Sequence, residues 1–155
     1  MVRISSAHRP PEHPDGGLTL SVTATPESAY RFRQLFAQWL DATVSVDAER
    51  RSDIVLAVYE AVANAAEHAY PADAHSGSPA SGTPSGAIEV RAHTTREESL
   101  EVTVTDAGRW KSDASSSPYR GRGLALISAL SDASDVSSGP GGTSVTLTWH
   151  QPLSV

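Results

Sequence analysis

Residues 60–70 read E-A-V-A-N-A-A-E-H-A-Y, and the fold follows from how that stretch sits on a helix. The helix that it closes begins near Ser45–Asp47 and runs from about Val46 to Ala69. At roughly 100° per residue, Val55, Val58, Val62, Ala65 and Ala69 share one side. Asp53, Glu60, Asn64 and Glu67 lie nearly opposite, with His68 at their edge. Glu60, Asn64 and His68 are spaced i, i+4, i+8 and stack along one flank. That flank is either an ordinary solvated face or one turned to a ligand. No Lys lies between Ser52 and Tyr70, so the i,i+4 ion pairs of a wet helix are missing. Ala57, Ala63 and Ala66 surround the polar residues with small side chains and leave room for an approaching group. A carboxylate and an amide one turn apart present oxygens to the same point. They suit a divalent cation beside a proton acceptor, the combination that phosphoryl transfer needs.

The bulk properties narrow the field. A chain of 155 residues is long enough for one domain with a proper core. Twelve basic against eighteen acidic residues give a net charge of −6, which points away from nucleic acid as a partner. With no cysteine, disulfides and thiolate metal sites are excluded, and nothing signals an oxidising compartment. His8, His13, His68, His75, His93 and His150 are scattered without ligand spacing, which argues against zinc. No signal-peptide run opens the sequence, and no stretch approaches the ~20 apolar residues of a membrane span. The expectation is a soluble, cytoplasmic protein with no membrane partner.

N-terminal to the central helix, residues 1–17 carry Pro10, Pro11 and Pro14 in a polar setting and predict a flexible tail. Leu18, Leu20, Val22 and Ala24 alternate with Thr19, Ser21 and Thr23, the pattern of a half-buried strand. Thr25 is placed to cap a helix with Pro26 at its first position. Phe32, Leu35, Phe36, Trp39 and Leu40 continue that helix at core-facing spacing to about Ala42. On the C-terminal side, residues 71–86 hold Pro71, Pro79 and Pro84 among Ser, Gly and Ala and predict a mobile loop.

Two strands follow. Ile88, Val90 and Ala92 oppose Glu89, Arg91 and His93; after a turn over Thr94–Glu98, Leu100, Val102 and Val104 oppose Glu101, Thr103 and Thr105. By parity Asp106 shares the apolar face, where a bare carboxylate is costly unless paired or protonated. The alternative is that Asp106 starts the turn and bends to solvent. A polar Ser-rich loop over Lys111–Tyr119 leads to Gly121-Arg122-Gly123, which opens a helix whose buried side is Leu124, Leu126, Ile127 and Leu130. Free N–H groups at such a start attract phosphate, and Arg120 and Arg122 either add positive charge or are simply solvated. Ala133–Ser138 predicts a short strand, Gly139-Pro140-Gly141-Gly142 a turn, and Thr143, Val145, Leu147 and Trp149 an inward strand face. Two strands thus each end their buried face on a polar residue, Asp106 and Thr143, which suggests a ligand with hydrogen-bonding edges where the sheet meets the helices.

Four blocks in fixed order, E-A-V-A-N-A-A-E-H-A-Y, D-A-G-R-W, R-G-R-G-L-A-L-I and G-G-T, resemble the nucleotide-binding boxes of the GHKL ATPase superfamily. That superfamily holds gyrase-type topoisomerases, heat-shock ATPase chaperones, sensor histidine kinases and anti-sigma-factor serine kinases. The resemblance covers about Leu18 to Trp149. The short length and the Glu-x-x-x-Asn-x-x-x-His-Ala-Tyr ending look most like the anti-sigma-factor kinases. The resemblance implies an α+β two-layer sandwich: a mixed, largely antiparallel sheet with three main helices on one face and ATP between the layers. It places the ATP-binding kinase domain at 18–150, an ATP lid at 109–120 and a second tail at 151–155.

By the same resemblance, Asn64 holds Mg²⁺ against the ATP phosphates and Glu60 is the general base toward a serine hydroxyl. Asp106 accepts from the adenine amino group, Gly108 lies beside the adenine, and Thr143 supports the adenine–aspartate–water network. Gly121 and Gly123, within the box formed with Arg120, Arg122 and Leu124, lie over the phosphates. His68 sits near the phosphates or simply ends the helix. The sequence departs from the pattern at Trp110, which stands where D-x-G-x-G has its second glycine; with a short lid, this raises the alternative of a non-catalytic ATP-binding module that controls a partner. The implied partners are an anti-anti-sigma (STAS-domain) protein, a sigma factor and a second copy of the chain.

Overall fold

A computed structural model describes residues 2–3, 17–69, 86–107, 120–139 and 141–150. The elements in chain order are β1 (Val2–Arg3), β2 (Leu18–Thr23), α1 (Pro26–Thr43), α2 (Ala48–Ala69), β3 (Ala87–Thr94), β4 (Leu100–Asp106), α3 (Arg120–Leu130), β5 (Ala133–Gly139) and β6 (Gly142–Trp149). Their strands form one sheet of order β1-β2-β3-β4-β6-β5. Each pairing is antiparallel, so the expected α+β two-layer architecture holds and the mixed component does not occur among the described residues. Two of these pairs, β3–β4 and β5–β6, are hairpins that reverse the chain within a few residues, as antiparallel pairing allows; β2–β3 and β4–β6 are joined through the helices.

Local chemistry sets the helix starts. Thr25 is extended and its hydroxyl accepts from the Ser28 N–H at 3.2 Å, with Pro26 inside the first turn. Asp47 plays the same part for α2, its carboxylate accepting from the Arg50 N–H at 2.8 Å. α2 therefore begins at Ala48, two residues later than Val46. Two other expectations change. Val2–Arg3 pairs with Val22 and Ser21 as an edge strand inside the stretch expected to be a tail. Leu126, expected on the buried side of α3, is 37% exposed whereas Ile127 is buried. One residue of helix turns a side chain by about 100°, and on α3 the buried stripe takes Ile127 and leaves Leu126 at its edge.

Every second residue of β3, β4 and β6 is buried. The register aligns these positions: Leu100 lies opposite Trp149, Val102 opposite Leu147 and Val104 opposite Val145. All three helices contribute to the core on that face, through Phe32, Phe36 and Leu40 of α1, Ile54, Val58 and Val62 of α2, and Ile127 of α3. Phe32 and Phe36 stack with ring centroids 5.8 Å apart. The opposite sheet face is polar, with hydroxyl pairs Thr105–Ser144 at 3.0 Å and Thr103–Thr146 at 3.3 Å bridging β4 and β6. No helix among the described residues is long and apolar enough to cross a membrane.

Candidate nucleotide site

Asp106 is the residue that distinguishes one end of the sheet. It ends β4, points with Leu100, Val102 and Val104 into the helix layer, and is 3% exposed. The open question of whether it bends to solvent is thereby answered. A carboxylate buried here, against an otherwise apolar strand face, carries a free-energy cost unless it is hydrogen-bonded or protonated. Thr143 is its register partner on β6 and is likewise 3% exposed. The structure thus brings together two of the residues singled out in the sequence, side by side on the inner face.

Gly142 explains how they come so close. A Cβ placed on Gly142 would lie 1.9 Å from the Asp106 carbonyl oxygen and 2.9 Å from the Ala107 Cα, and its φ is +130°. The start of β6 is pressed onto the backbone that carries Asp106, at a distance and a dihedral that only glycine accommodates. Its partner across the β5–β6 hairpin is Gly139. The G-G-T block is therefore a backbone requirement followed by a buried hydroxyl.

Glu60 and Asn64 sit one turn apart on α2, which packs against β4. Both are half-buried, whereas Glu67 is exposed. The flank is thus not uniformly solvated: its central residues lie at the margin of the core. Ala57, expected to leave space beside them, is instead fully buried, as is Ala61. These alanines let α2 lie close to its neighbours and put Glu60 and Asn64 at the edge of the packed face. His68 belongs to the last turn of α2, and Arg120, Gly121, Arg122 and Gly123 form the first turn of α3; their side chains lie outside those described. Leu124 is half-buried and packs on the core. Gly108, the lid at 109–120 apart from Arg120, and the loop at 71–85 also fall outside the described residues.

Among the described residues no group of three or more His, Cys, Asp or Glu could hold a metal ion. A half-buried amide such as Asn64 offers one hard oxygen. That donor set fits Mg²⁺, which keeps most of its octahedron as waters and phosphate oxygens.

Two features escaped the sequence. Ser138 of β5 lies opposite Thr143, and their hydroxyl oxygens are 3.2 Å apart. Its only sequence signal is its place one residue before the glycine-rich hairpin. Far from the site, Arg50 of α2 donates to Asp132 at 2.6 Å and to the His150 carbonyl at 2.7 Å, while the His150 N–H donates to Asp132 at 2.7 Å. Burial pushes the Asp132 carboxyl up, but the hydrogen bonds from Arg50 and the His150 N–H, with the nearby positive charges, hold it below its ordinary value. No local pattern announces a pair 82 residues apart.

The pattern of the histidine kinase-like ATPase domain matches residues 22–149. Among solved structures, the chain is similar to the RsbU and RsbW domains of Rv1364c from Mycobacterium tuberculosis, with 29% identity and a TM-score of 0.65. That match covers 86% of this chain and 32% of the other. Similarity to the Erythrobacter litoralis EL346 blue-light activated histidine kinase is 30% in identity with a TM-score of 0.51, over 70% of this chain and 32% of that one. The chain therefore spans about a third of the length of both proteins. A chain of the SiaB–SiaC complex from Pseudomonas aeruginosa matches with a TM-score of 0.62 at 12% identity, over 92% of this chain and 95% of that one, a likeness of fold alone.

Proposed function

Since the chain belongs to the histidine kinase-like ATPase domain family, we propose that it is an ATP-dependent serine/threonine-protein kinase of the anti-sigma-factor type. Its substrate would be an anti-anti-sigma protein of the STAS class, and through a second surface it would bind a sigma factor in the cytoplasm, as a homodimer. The observation that carries the nucleotide reading is the buried Asp106 beside Thr143, with Gly142 pressed against the same backbone. The kinase subtype rests on the Glu60-x-x-x-Asn64-x-x-x-His68-Ala69-Tyr70 ending and on likeness to a chain that carries an RsbW domain.

The ATP-binding unit assigned is 18–150. Asp106, as a carboxylate, accepts from the exocyclic amine of adenine, and Thr143 supports that contact. Asn64 would hold Mg²⁺, which when bound neutralises charge on the phosphates. Glu60 takes the proton of the attacking serine hydroxyl as the serine oxygen bonds to the γ-phosphorus. The bond from that phosphorus to the β–γ bridging oxygen breaks, and ADP leaves with the electron pair. The glycines at 121 and 123, at the start of α3, allow close backbone approach to the phosphates.

Calorimetry with ATP and Mg²⁺ tests the site, and transfer of labelled γ-phosphate to candidate STAS proteins tests the chemistry. Acid-stable label is the expected result, because phosphoserine survives acid and phosphohistidine does not. Binding without transfer to any candidate would favour the non-catalytic regulatory module that Trp110 suggests. Absence of binding would remove both readings.

A further inference from the structure

We infer that Ser138 is a positioning residue for purine selectivity: its hydroxyl fixes the direction in which the Thr143 hydroxyl points its proton. This rests on the nucleotide reading of the site. Asp106, Thr143 and Ser138 occupy one transverse row across β4, β6 and β5, since Thr143 is the register partner of both others. Side chains directly opposite in an antiparallel pair stand within about 5 Å at Cβ, and here the Ser138 and Thr143 oxygens close to 3.2 Å. Asp106 and Thr143 are buried, whereas Ser138 is exposed at the edge of the sheet. The row therefore runs from a sequestered carboxylate to water.

A hydroxyl has one proton and two lone pairs, and its rotor turns to suit its partners. An ionised Asp106 only accepts. If Ser138 donates to Thr143, the proton of Thr143 is left to point toward the carboxylate side, where the base would sit. Ser138 can play that part because its own oxygen accepts from solvent at the edge. The row then presents an acceptor beside a donor. Adenine offers the complement, an N6 amine that donates and an N1 that accepts. A 6-oxopurine offers the reverse, an O6 that accepts and an N1–H that donates. Without Ser138 the Thr143 rotor is released and can turn a lone pair to the base, which admits the wrong edge.

The test is affinity for ATP and for inosine triphosphate with Mg²⁺, by calorimetry, on wild type, Ser138→Ala and Ser138→Thr. Wild type is expected to prefer ATP. Ser138→Ala should narrow the ATP-to-inosine-triphosphate ratio by about fivefold, the scale of one net hydrogen bond, and Ser138→Thr should restore it. Because Ser138 is exposed, its thermal midpoint serves as a check that the alanine variant stays folded. A purely structural role for Ser138 would weaken both nucleotides together, and an unchanged ratio in Ser138→Ala overturns the inference while leaving the site intact. If wild type binds neither nucleotide, the site reading and the role of Ser138 fall together.

Discussion

Replacing Gly142 by alanine adds one carbon and two hydrogens to the molecule at a point where the backbone has no space. The new Cβ would stand 1.9 Å from the Asp106 carbonyl oxygen. An ordinary C···O contact is about 3.3 Å, so the strands must part there by about 1.4 Å. The neighbours are backbone atoms, the Asp106 O and C and the Ala107 Cα, and cannot swing aside as a flexible side chain would. A φ of +130° adds its own penalty for any residue with a Cβ, of about 1–3 kcal/mol. Strain and overlap together give a loss of about 3 kcal/mol, or a fall of about 10 °C in Tm for a chain of this size. The displacement also moves Thr143 away from Asp106, so ATP affinity should fall further than stability explains. Gly141→Ala and Gly139→Ala are the controls, since a Cβ at either position meets nothing within 4 Å. Thermal unfolding followed by circular dichroism, with calorimetric titration of ATP at a temperature where all variants are folded, separates the two effects. A Gly142→Ala protein with wild-type midpoint and affinity would refute the close-approach argument, as would controls that lose as much.

Four further substitutions probe the remaining parts. Asn64→Ala should abolish Mg²⁺-dependent ATP binding, and Glu60→Gln should keep binding but lower transfer by about 10²–10⁴-fold; retained transfer would remove either residue from its assigned role. Asp106→Asn should reduce discrimination between ATP and GTP by about tenfold or more, the scale of a hydrogen bond to a charged group, as read by competition binding. Asp132 is predicted to act on stability through pH. Its folded pKa is depressed, so its contribution is present above the unfolded value of about 3.9 and is lost as pH falls through the folded value. Urea midpoints of wild type and Asp132→Asn should therefore differ near neutrality and converge below about pH 4; a gap that persists into acid would count against the Arg50–Asp132 contact.

What could be learned from residue order depended on whether the deciding interaction was periodic. The alternation of Leu100, Val102, Val104 and Asp106 carried the strand and its burial because the pleat turns every second side chain to the same face. Parity pointed Asp106 inward but left a bend to solvent open until burial decided it, and the α1 cap could be placed because Thr25, Pro26 and Ser28 meet within one turn. Other features depended on three-dimensional neighbours. Ala57 looked like open space beside Glu60, yet α2 turns it into the core, because wheel positions give an angle and not the width of the buried stripe. Leu126 joined a run of aliphatic residues whose composition hid the one that turns outward. The φ of Gly142 and the hydroxyl contact of Ser138 both arise from a hairpin register, which pairs residues 138 and 143 only once the chain has reversed.

The same register separates stability from chemistry along two strands. At one end of the β4–β6 pair, Leu100 faces Trp149; both are fully buried, and the Trp149 indole donates to the Leu130 carbonyl at 2.8 Å. At the other end, six residues along β4 and about 20 Å away, Asp106 faces Thr143. α2 is tied to the first end through Arg50, which binds Asp132 and the carbonyl of His150, next to Trp149. Glu60 and Asn64 follow at about 15 and 21 Å along its axis. A rigid helix fixed at one end holds its distant side chains steady, which would leave the polar groups of Glu60 and Asn64 to the proposed ligand. The Trp149 indole contact and the Arg50–Asp132 pair therefore secure the structure at the end away from Asp106. Substitutions at Glu60 and Asn64, which are half-buried and lie outside that anchored region, should then change nucleotide chemistry with little change in the unfolding midpoint. Equal losses of stability and activity in both variants would mean that the two ends are not separate.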